Sequence, residues 1–309
     1  MHLSISFCCA DTKPERWLEG LRREFPQAQV RNWFDDRRPC DYAVVWAPPQ
    51  EFFDSQPLLK AAFNIGAGVN AILALPRLPE YLPIVRLEDA GMAQQMAEYV
   101  THAVLRFARE FDVYERSARA GQWQRRRPTQ RGDYPVGVMG LGALGAQVAR
   151  TLASFGFPVA GWSQSPKQID GVQCLHGEAQ FESFLRGTRI LVCLLPLTPQ
   201  TQDIIDAQAL ALLRPGAYVI NVARGAHVVD EALLAAIGSG HVAGATLDVF
   251  RTEPLPPEHP FWKAPTITIT PHISAATLRE ESIAQIAGKI RALERGEPIS
   301  GIVDRKRGY

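Results

Sequence analysis

The sequence predicts two successive α/β units, each built on a parallel sheet with helices on both faces. Three observations lead there. Short, β-rich apolar runs alternate with helical patterns from the start of the chain, which is the signature of a parallel sheet. A second series of the same kind begins at Tyr134, and a long helical stretch followed by an arginine-rich polar segment separates the two. The length agrees: 309 residues, 46% of them apolar, supply two medium cores at roughly 100 to 200 residues per domain.

In the first series the strands are read as His2–Cys9, Ala28–Trp33, Asp41–Trp46 and Ala61–Ile65, with a capped helix starting near Asp11. The helical stretch runs from Gly91 to Ala120. Its apolar positions Met92, Met96, Val100, Val104, Phe107 and Phe111 exceed what one domain usually covers, so a homodimer contact is expected there, flanked by Trp123 and the arginines Arg125, Arg126, Arg127 and Arg131. The second series has strands at Tyr134–Met139, Phe157–Trp162, Arg189–Leu195, Ala217–Val222, Val242–Val249 and Thr266–Thr270. A last helix, about Leu278 to Arg295, could extend the second domain or return to the first, and periodicity alone does not decide.

Composition excludes several classes of partner. With 33 basic against 32 acidic residues the net charge is +1, which gives no field for holding nucleic acid or an anionic membrane. The arginine cluster lacks the interleaved aromatics of a nucleic-acid surface. No uncharged apolar run reaches the roughly 18 residues of a membrane span, and no basic segment precedes the first apolar stretch. The five cysteines, Cys8, Cys9, Cys40, Cys174 and Cys193, are odd in number and lack C-x-x-C spacing, so free buried thiols are expected and neither disulfides nor a metal site. A cytoplasmic protein working on small molecules fits best.

Tyr134–Met139 reads as a buried strand that runs into Gly140-Leu-Gly142-Ala-Leu-Gly145, which opens the helical pattern 146–155. Strand, glycine turn and helix stand in the order a dinucleotide site requires. The first glycine makes the tight turn, the second lets a pyrophosphate approach the backbone, and the third lets the helix pack on the strand. The helix N-terminus offers N–H groups to the anion. Three glycines alone are a weak signal; the flanking strand and helix carry the reading of a Rossmann domain.

Domains that prefer NAD usually place a carboxylate at the end of the second strand, about 20 residues beyond the first glycine, on the ribose 2′-OH. Here that place reads Gly161-Trp-Ser163-Gln-Ser165-Pro-Lys167, without a carboxylate. Two hydroxyls and an ammonium suit a 2′-phosphate instead, so NADPH is expected over NADH. A polar turn with loose cofactor preference is the alternative.

Three later segments each place an ionisable residue after an apolar strand: Arg224 after 219–223, Glu253 after Leu247-Asp248, and His272 after Ile269-Thr-Pro. In an open parallel sheet, ligands bind beyond the carboxyl ends of the strands, so all three converge. Singly, each has a structural alternative: a surface ion pair, a solvated loop, a packed ring. Together they supply what hydride transfer to a 2-oxo acid needs, a cation for the carboxylate and carbonyl and a proton donor for the developing alkoxide.

With Gly66-Ala-Gly-Val69, Arg86–Met92, Gln95–Tyr99, Gly140–Gly145, Leu195–Thr201, Val222-Ala-Arg-Gly225, Asp248-Val-Phe with Glu253-Pro, Pro271-His272 and Arg307-Gly-Tyr309, the chain resembles the D-isomer-specific 2-hydroxyacid dehydrogenases over its whole length, and within them the glyoxylate/hydroxypyruvate reductase A branch. The resemblance implies that Arg224 grips the substrate, His272 is the general acid and Glu253 bonds its other ring nitrogen; a carboxylate so placed favours imidazolium. It implies that backbone N–H groups at Ala67 and Gly68 meet the substrate carboxylate and that Trp46 walls the pocket. Asp248 and Ser274 would orient the nicotinamide carboxamide, Pro196 would line the cofactor cleft, and Leu144 and Val222 would complete the cofactor contacts. It further implies a flavodoxin-like substrate domain from residues 1–97 and 279–309 around a Rossmann cofactor domain, 98–278, so that the last helix returns to the first domain. Two departures stand out: Asn70 where the family commonly has Asp, and Gln164 and Pro166 where related reductases carry arginines. Rival readings are a formate, lactate or phosphoglycerate dehydrogenase of the same fold, and a nucleotide-sensing scaffold for protein partners like the related corepressors.

Overall fold

A computed structural model describes residues 3–10, 12–66 and 68–308. His2, Asp11, Ala67 and Tyr309, each named in the expectations above, lie outside the described residues. The chain divides into two compact units, Met1–Met92 with Ala276–Tyr309, and Ala93–Ala275.

The first unit holds strands β1 (Ser4–Cys9), β2 (Gln29–Asn32), β3 (Tyr42–Trp46), β4 (Ala61–Asn64) and β5 (Ile84–Arg86), all parallel, in the order β2-β1-β3-β4-β5. This is the flavodoxin-like order. β1, β3 and β4 are almost wholly buried, as strands covered by helices on both faces must be, and they therefore read as continuous apolar runs. The first helix, Glu15–Glu24, starts four residues after Asp11, with Pro14 rather than a side-chain cap at its N-terminus. Its Gly20 lies under Ile283 of the helix Arg279–Glu294; a Cβ there would sit 2.4 Å from the Ile283 Cδ1. That close approach, together with Ile283, Ile286 and Ile290 packing in one cluster with Phe7, Val44 and Phe63, puts the last helix in the first unit.

The second unit holds β6 (Val136–Met139), β7 (Val159–Ser163), β8 (Gln173–His176), β9 (Ile190–Cys193), β10 (Ala217–Asn221), β11 (Val242–Leu247) and β12 (Ile267–Ile269). All pairs are parallel, in the order β12-β11-β10-β9-β6-β7-β8, so the progression reverses beside β6, between β6 and β9.

The single helical stretch expected over Gly91–Ala120 is instead two helices, Met92–Ala108 and Phe111–Arg119. Glu110 breaks it with a left-handed φ of 54° and takes both of its carboxylate oxygens to Arg126, 2.7 Å each. The apolar stripe is also mostly spent inside this unit. Met96, Val100 and Val104 pack with Val136, Val138 and Tyr218, and Phe107 stacks on Tyr218 at 4.3 Å between ring centroids. Phe111 and Trp123 remain exposed. Burial pushes the thiols of Cys8, Cys40 and Cys193 up to about 12, which makes them poor nucleophiles. No helix among the described residues is long and apolar enough to cross a membrane.

Candidate active site

Parallel register in the second unit aligns Trp162, Met139, Cys193, Asn221, Leu247 and Ile269 in one row across the sheet. Adjacent strands lie roughly 4.8 Å apart, so the loops that follow this row stand side by side along one edge. Those loops carry Ser163, Gly140, Pro196, Arg224, Asp248 with Glu253, and His272. The topology thus brings together the residues that the sequence spread over more than a hundred positions.

The glycine turn has the form a pyrophosphate needs. Gly140 has φ of 98°, and a Cβ on it would lie 2.7 Å from the Leu194 carbonyl oxygen. A Cβ on Gly142 would meet nothing within 4 Å among the described residues, which leaves open space over the N-terminus of the helix Ala143–Ser154. A Cβ on Gly145 would fall 1.8 Å from the Gly140 carbonyl oxygen. The first and third glycines are therefore structural and the second keeps a cradle clear, so the turn fits a dinucleotide. Replacing Gly145 by alanine is expected to cost about 1–3 kcal/mol or more through overpacking against backbone, and to lower Tm by several degrees. Gly142→Ala should leave Tm nearly unchanged and weaken nucleotide binding. Thermal unfolding of both variants, with and without NADPH, checks the contrast.

At the end of β7 the Ser163 side chain is buried and donates its hydrogen to the Ser165 carbonyl, 2.8 Å. Gln164, Ser165, Pro166 and Lys167 are exposed beside it.

Glu253 and His272 are paired: His272 Nδ1 lies 2.8 Å from Glu253 Oε2, while Glu253 Oε1 accepts the Phe250 N–H at 2.9 Å. The carboxylate fixes Nδ1 as the donor nitrogen and leaves Nε2 as the ring's working atom. His272 holds this position with a φ of 56°, a conformation costly for most residues though less so for histidine. Asp248 secures it. Its fully buried carboxylate accepts from Thr270 Oγ1 (2.5 Å), Ile273 N (2.8 Å) and Ser274 N (2.8 Å), and its carbonyl accepts from His272 N (2.9 Å). Asp248 is thus a brace for the His272 loop.

Arg224 follows β10 and is held by its neighbours. Asn221 Nδ2 donates to its carbonyl at 2.9 Å, and its own Nη1 donates to the Ala223 carbonyl at 2.6 Å. Burial works against its charge and lowers its pKa, with the Glu253 carboxylate acting in the opposite direction. A guanidinium still keeps its proton at neutral pH. Next to it, a Cβ on Gly225 would lie 1.9 Å from the Phe250 carbonyl carbon, so only glycine lets this loop nest on the loop that carries Glu253. Arg251 ties the same two loops together: its Nε donates to the Val228 carbonyl at 3.0 Å and its guanidinium pairs with Asp203.

Trp46 and Gly68, also named above, lie in the first unit. Trp46 ends β3 with its ring over Gly66, where a Cβ would stand 2.2 Å from Cζ3. Buried Asn64 donates to the carbonyls of Gly66 and Gly68, 2.9 and 3.0 Å, and so shapes the turn in which Gly68 lies; Ala67 is outside the described residues. Reading the sequence missed Asn64, Asn221, His227, Arg251 and Thr270. For the two asparagines a signal existed, a polar residue closing an apolar strand.

Residues 101–274 match the family model described as the NAD binding domain of D-isomer specific 2-hydroxyacid dehydrogenases. The chain belongs to this family. The dehydrogenase is 51% identical over 301 residues, 96% of each chain, to glyoxylate/hydroxypyruvate reductase A of Serratia proteamaculans, and 48% identical to the protein of that name from Yersinia enterocolitica over 99% of this chain and 100% of the other. Among solved structures it is similar to a D-isomer specific 2-hydroxyacid dehydrogenase from Xanthobacter autotrophicus in complex with NADPH and MES, with a TM-score of 0.95, 42% identity and both chains fully covered. The NADPH-dependent glyoxylate/hydroxypyruvate reductase of Sinorhizobium meliloti, crystallised with NADP and sulfate, gives a TM-score of 0.93 at 36% identity over 99% of this chain and 100% of that one.

Proposed function

We propose that the protein reduces small 2-oxo acids, glyoxylate and hydroxypyruvate, to D-2-hydroxy acids with NADPH as the preferred cofactor. The observation that carries this reading is the 2.8 Å His272–Glu253 pair beside the Arg224 loop, on the same sheet edge as an open glycine cradle.

Gly142 and Leu144 would meet the pyrophosphate in the turn that Gly140 and Gly145 shape, with Ser165 and Lys167 near the ribose phosphate and Pro196, Val222 and Ser274 along the nicotinamide side. When bound, the nicotinamide supplies the hydride to C2 of the oxo acid. Arg224 binds the substrate carboxylate and carbonyl oxygen, orients the carbonyl and stabilises negative charge on its oxygen. His272 gives its Nε2 proton to that oxygen, completing the two-electron reduction, and the Glu253 carboxylate holds the ring through Nδ1. On the resemblance alone, Trp46, Ala67 and Gly68 are assigned to the substrate. Exposed Phe111 and Trp123 support a homodimer, and the buried free thiols support a reducing cytoplasm.

The test is turnover of glyoxylate, hydroxypyruvate and pyruvate with each cofactor. Lys167 is a point charge without the fork of an arginine, so kcat/KM with NADPH should exceed that with NADH by about 10- to 100-fold, roughly 1.4–2.8 kcal/mol. Lys167→Ala should shrink that ratio. Equal or better catalysis with NADH would overturn the cofactor assignment, and no turnover of any of the three acids would overturn the reaction.

A further inference from the structure

His227 is wholly buried in the short turn Gly225–His227 behind Arg224, and both of its ring nitrogens are engaged. Nε2 lies 3.3 Å from the Pro196 carbonyl, which only accepts, so Nε2 carries a hydrogen. Nδ1 faces the Arg224 backbone, 3.2 Å from its nitrogen and 3.0 Å from its carbonyl oxygen. Burial, the largest influence on the ring, lowers its pKa and favours the neutral form, while its contacts to the two carbonyls act in the opposite direction. Its two bonds join loops that leave neighbouring strands. The Pro196 loop begins at Leu194, whose carbonyl abuts Gly140 of the phosphate turn. The other loop carries Arg224.

We propose that His227 is a positioning residue that clips the substrate-gripping loop to the cofactor-side loop, with Nδ1 setting the Arg224 backbone and Nε2 setting the Pro196 backbone. The inference rests on the assignment of Arg224 to the substrate. The two bonds should not weigh equally. Pro196 O also accepts from Thr201 Oγ1 at 2.7 Å, so it keeps a partner if the imidazole is removed. Losing Nδ1 instead removes the imidazole from both the N–H and the carbonyl of Arg224.

Three substitutions separate the nitrogens. His227→Asn keeps an acceptor near the Nδ1 position, His227→Gln keeps a donor near the Nε2 position, and His227→Phe keeps neither. The glyoxylate KM should rise about tenfold in the Gln and Phe variants and stay near wild type in Asn, the size expected for one buried hydrogen bond. NADPH affinity, measured by calorimetric titration without substrate, should fall about threefold in Asn and Phe and hold in Gln, less because Thr201 still serves Pro196. Equal effects of all three variants on both quantities, or no effect on either, would overturn the clip. If the Phe variant does not fold, the crossed behaviour of Asn and Gln decides. Arg224→Gln is measured alongside: an unchanged glyoxylate KM there would remove the assignment of Arg224, while the nucleotide titrations still test whether His227 sets the Pro196 loop.

Discussion

Glutamine in place of Arg224 is expected to lower kcat/KM for glyoxylate about 1,000-fold, roughly 4 kcal/mol, with NADPH affinity retained. The size follows from what is lost. In the proposed reaction the partly buried guanidinium meets a carboxylate and a carbonyl whose charge grows in the transition state, and charge-assisted bonds are about twice as strong as neutral ones. Glutamine keeps two donors but neither the charge nor the fork. Because Asn221 holds the Arg224 loop through the backbone carbonyl, 2.9 Å, the loop should keep its course in the variant, and the deficit should belong to the side chain. Steady-state kinetics with calorimetric NADPH binding checks it; a loss below tenfold would place the substrate elsewhere.

The second large effect is expected at His272. His272→Asn should reduce kcat about 100- to 10,000-fold, the usual range for a general acid, with little change in NADPH affinity. Asparagine is the informative replacement because it tolerates the left-handed backbone, φ 56°, that Asp248 imposes here, whereas a β-branched residue would disturb the loop. Glu253→Gln should cost less, since an amide oxygen can still accept from Nδ1 while the full negative charge behind the ring is gone. Single-turnover hydride transfer separates these effects from product release. A kcat within a factor of two of wild type in His272→Asn would assign the proton to another group.

Much of this site was legible because parallel α/β sheets place chemistry after strands, and strands buried on both faces announce themselves as apolar runs. Gly140–Gly145, Arg224, Glu253 and His272 each follow such a run, and the register of Met139, Cys193, Asn221, Leu247 and Ile269 puts them on one edge. What escaped was set by contacts distant in sequence. β5 is three residues long and follows three prolines within eight residues, Pro76, Pro79 and Pro83; β8 is an edge strand bounded by Gln173 and His176. β5, though Ile84 and Val85 are buried, is too short to form an apolar run, and β8 lacks the burial that makes a strand visible. The break at Glu110 depends on Arg126, sixteen positions on, and no local propensity announces it. Asp248 and Ser163 stand at strand ends, and their bonds to Thr270, Ile273, Ser274 and Ser165 come from the fold rather than from any local pattern. The apolar stripe from Met96 to Phe107 reads as too wide for one domain because the residues that face it, Val136, Val138 and Tyr218 among them, come from strands later in the chain.

One measurement bears most directly on the proposed chemistry: reduction of hydroxypyruvate with NADPH deuterated at the transferring position of the nicotinamide, followed by chiral analysis and mass spectrometry of the glycerate formed. Deuterium on C2 of D-glycerate, with one NADPH consumed per product, is the expected result. L-glycerate, or D-glycerate without the label, would contradict it.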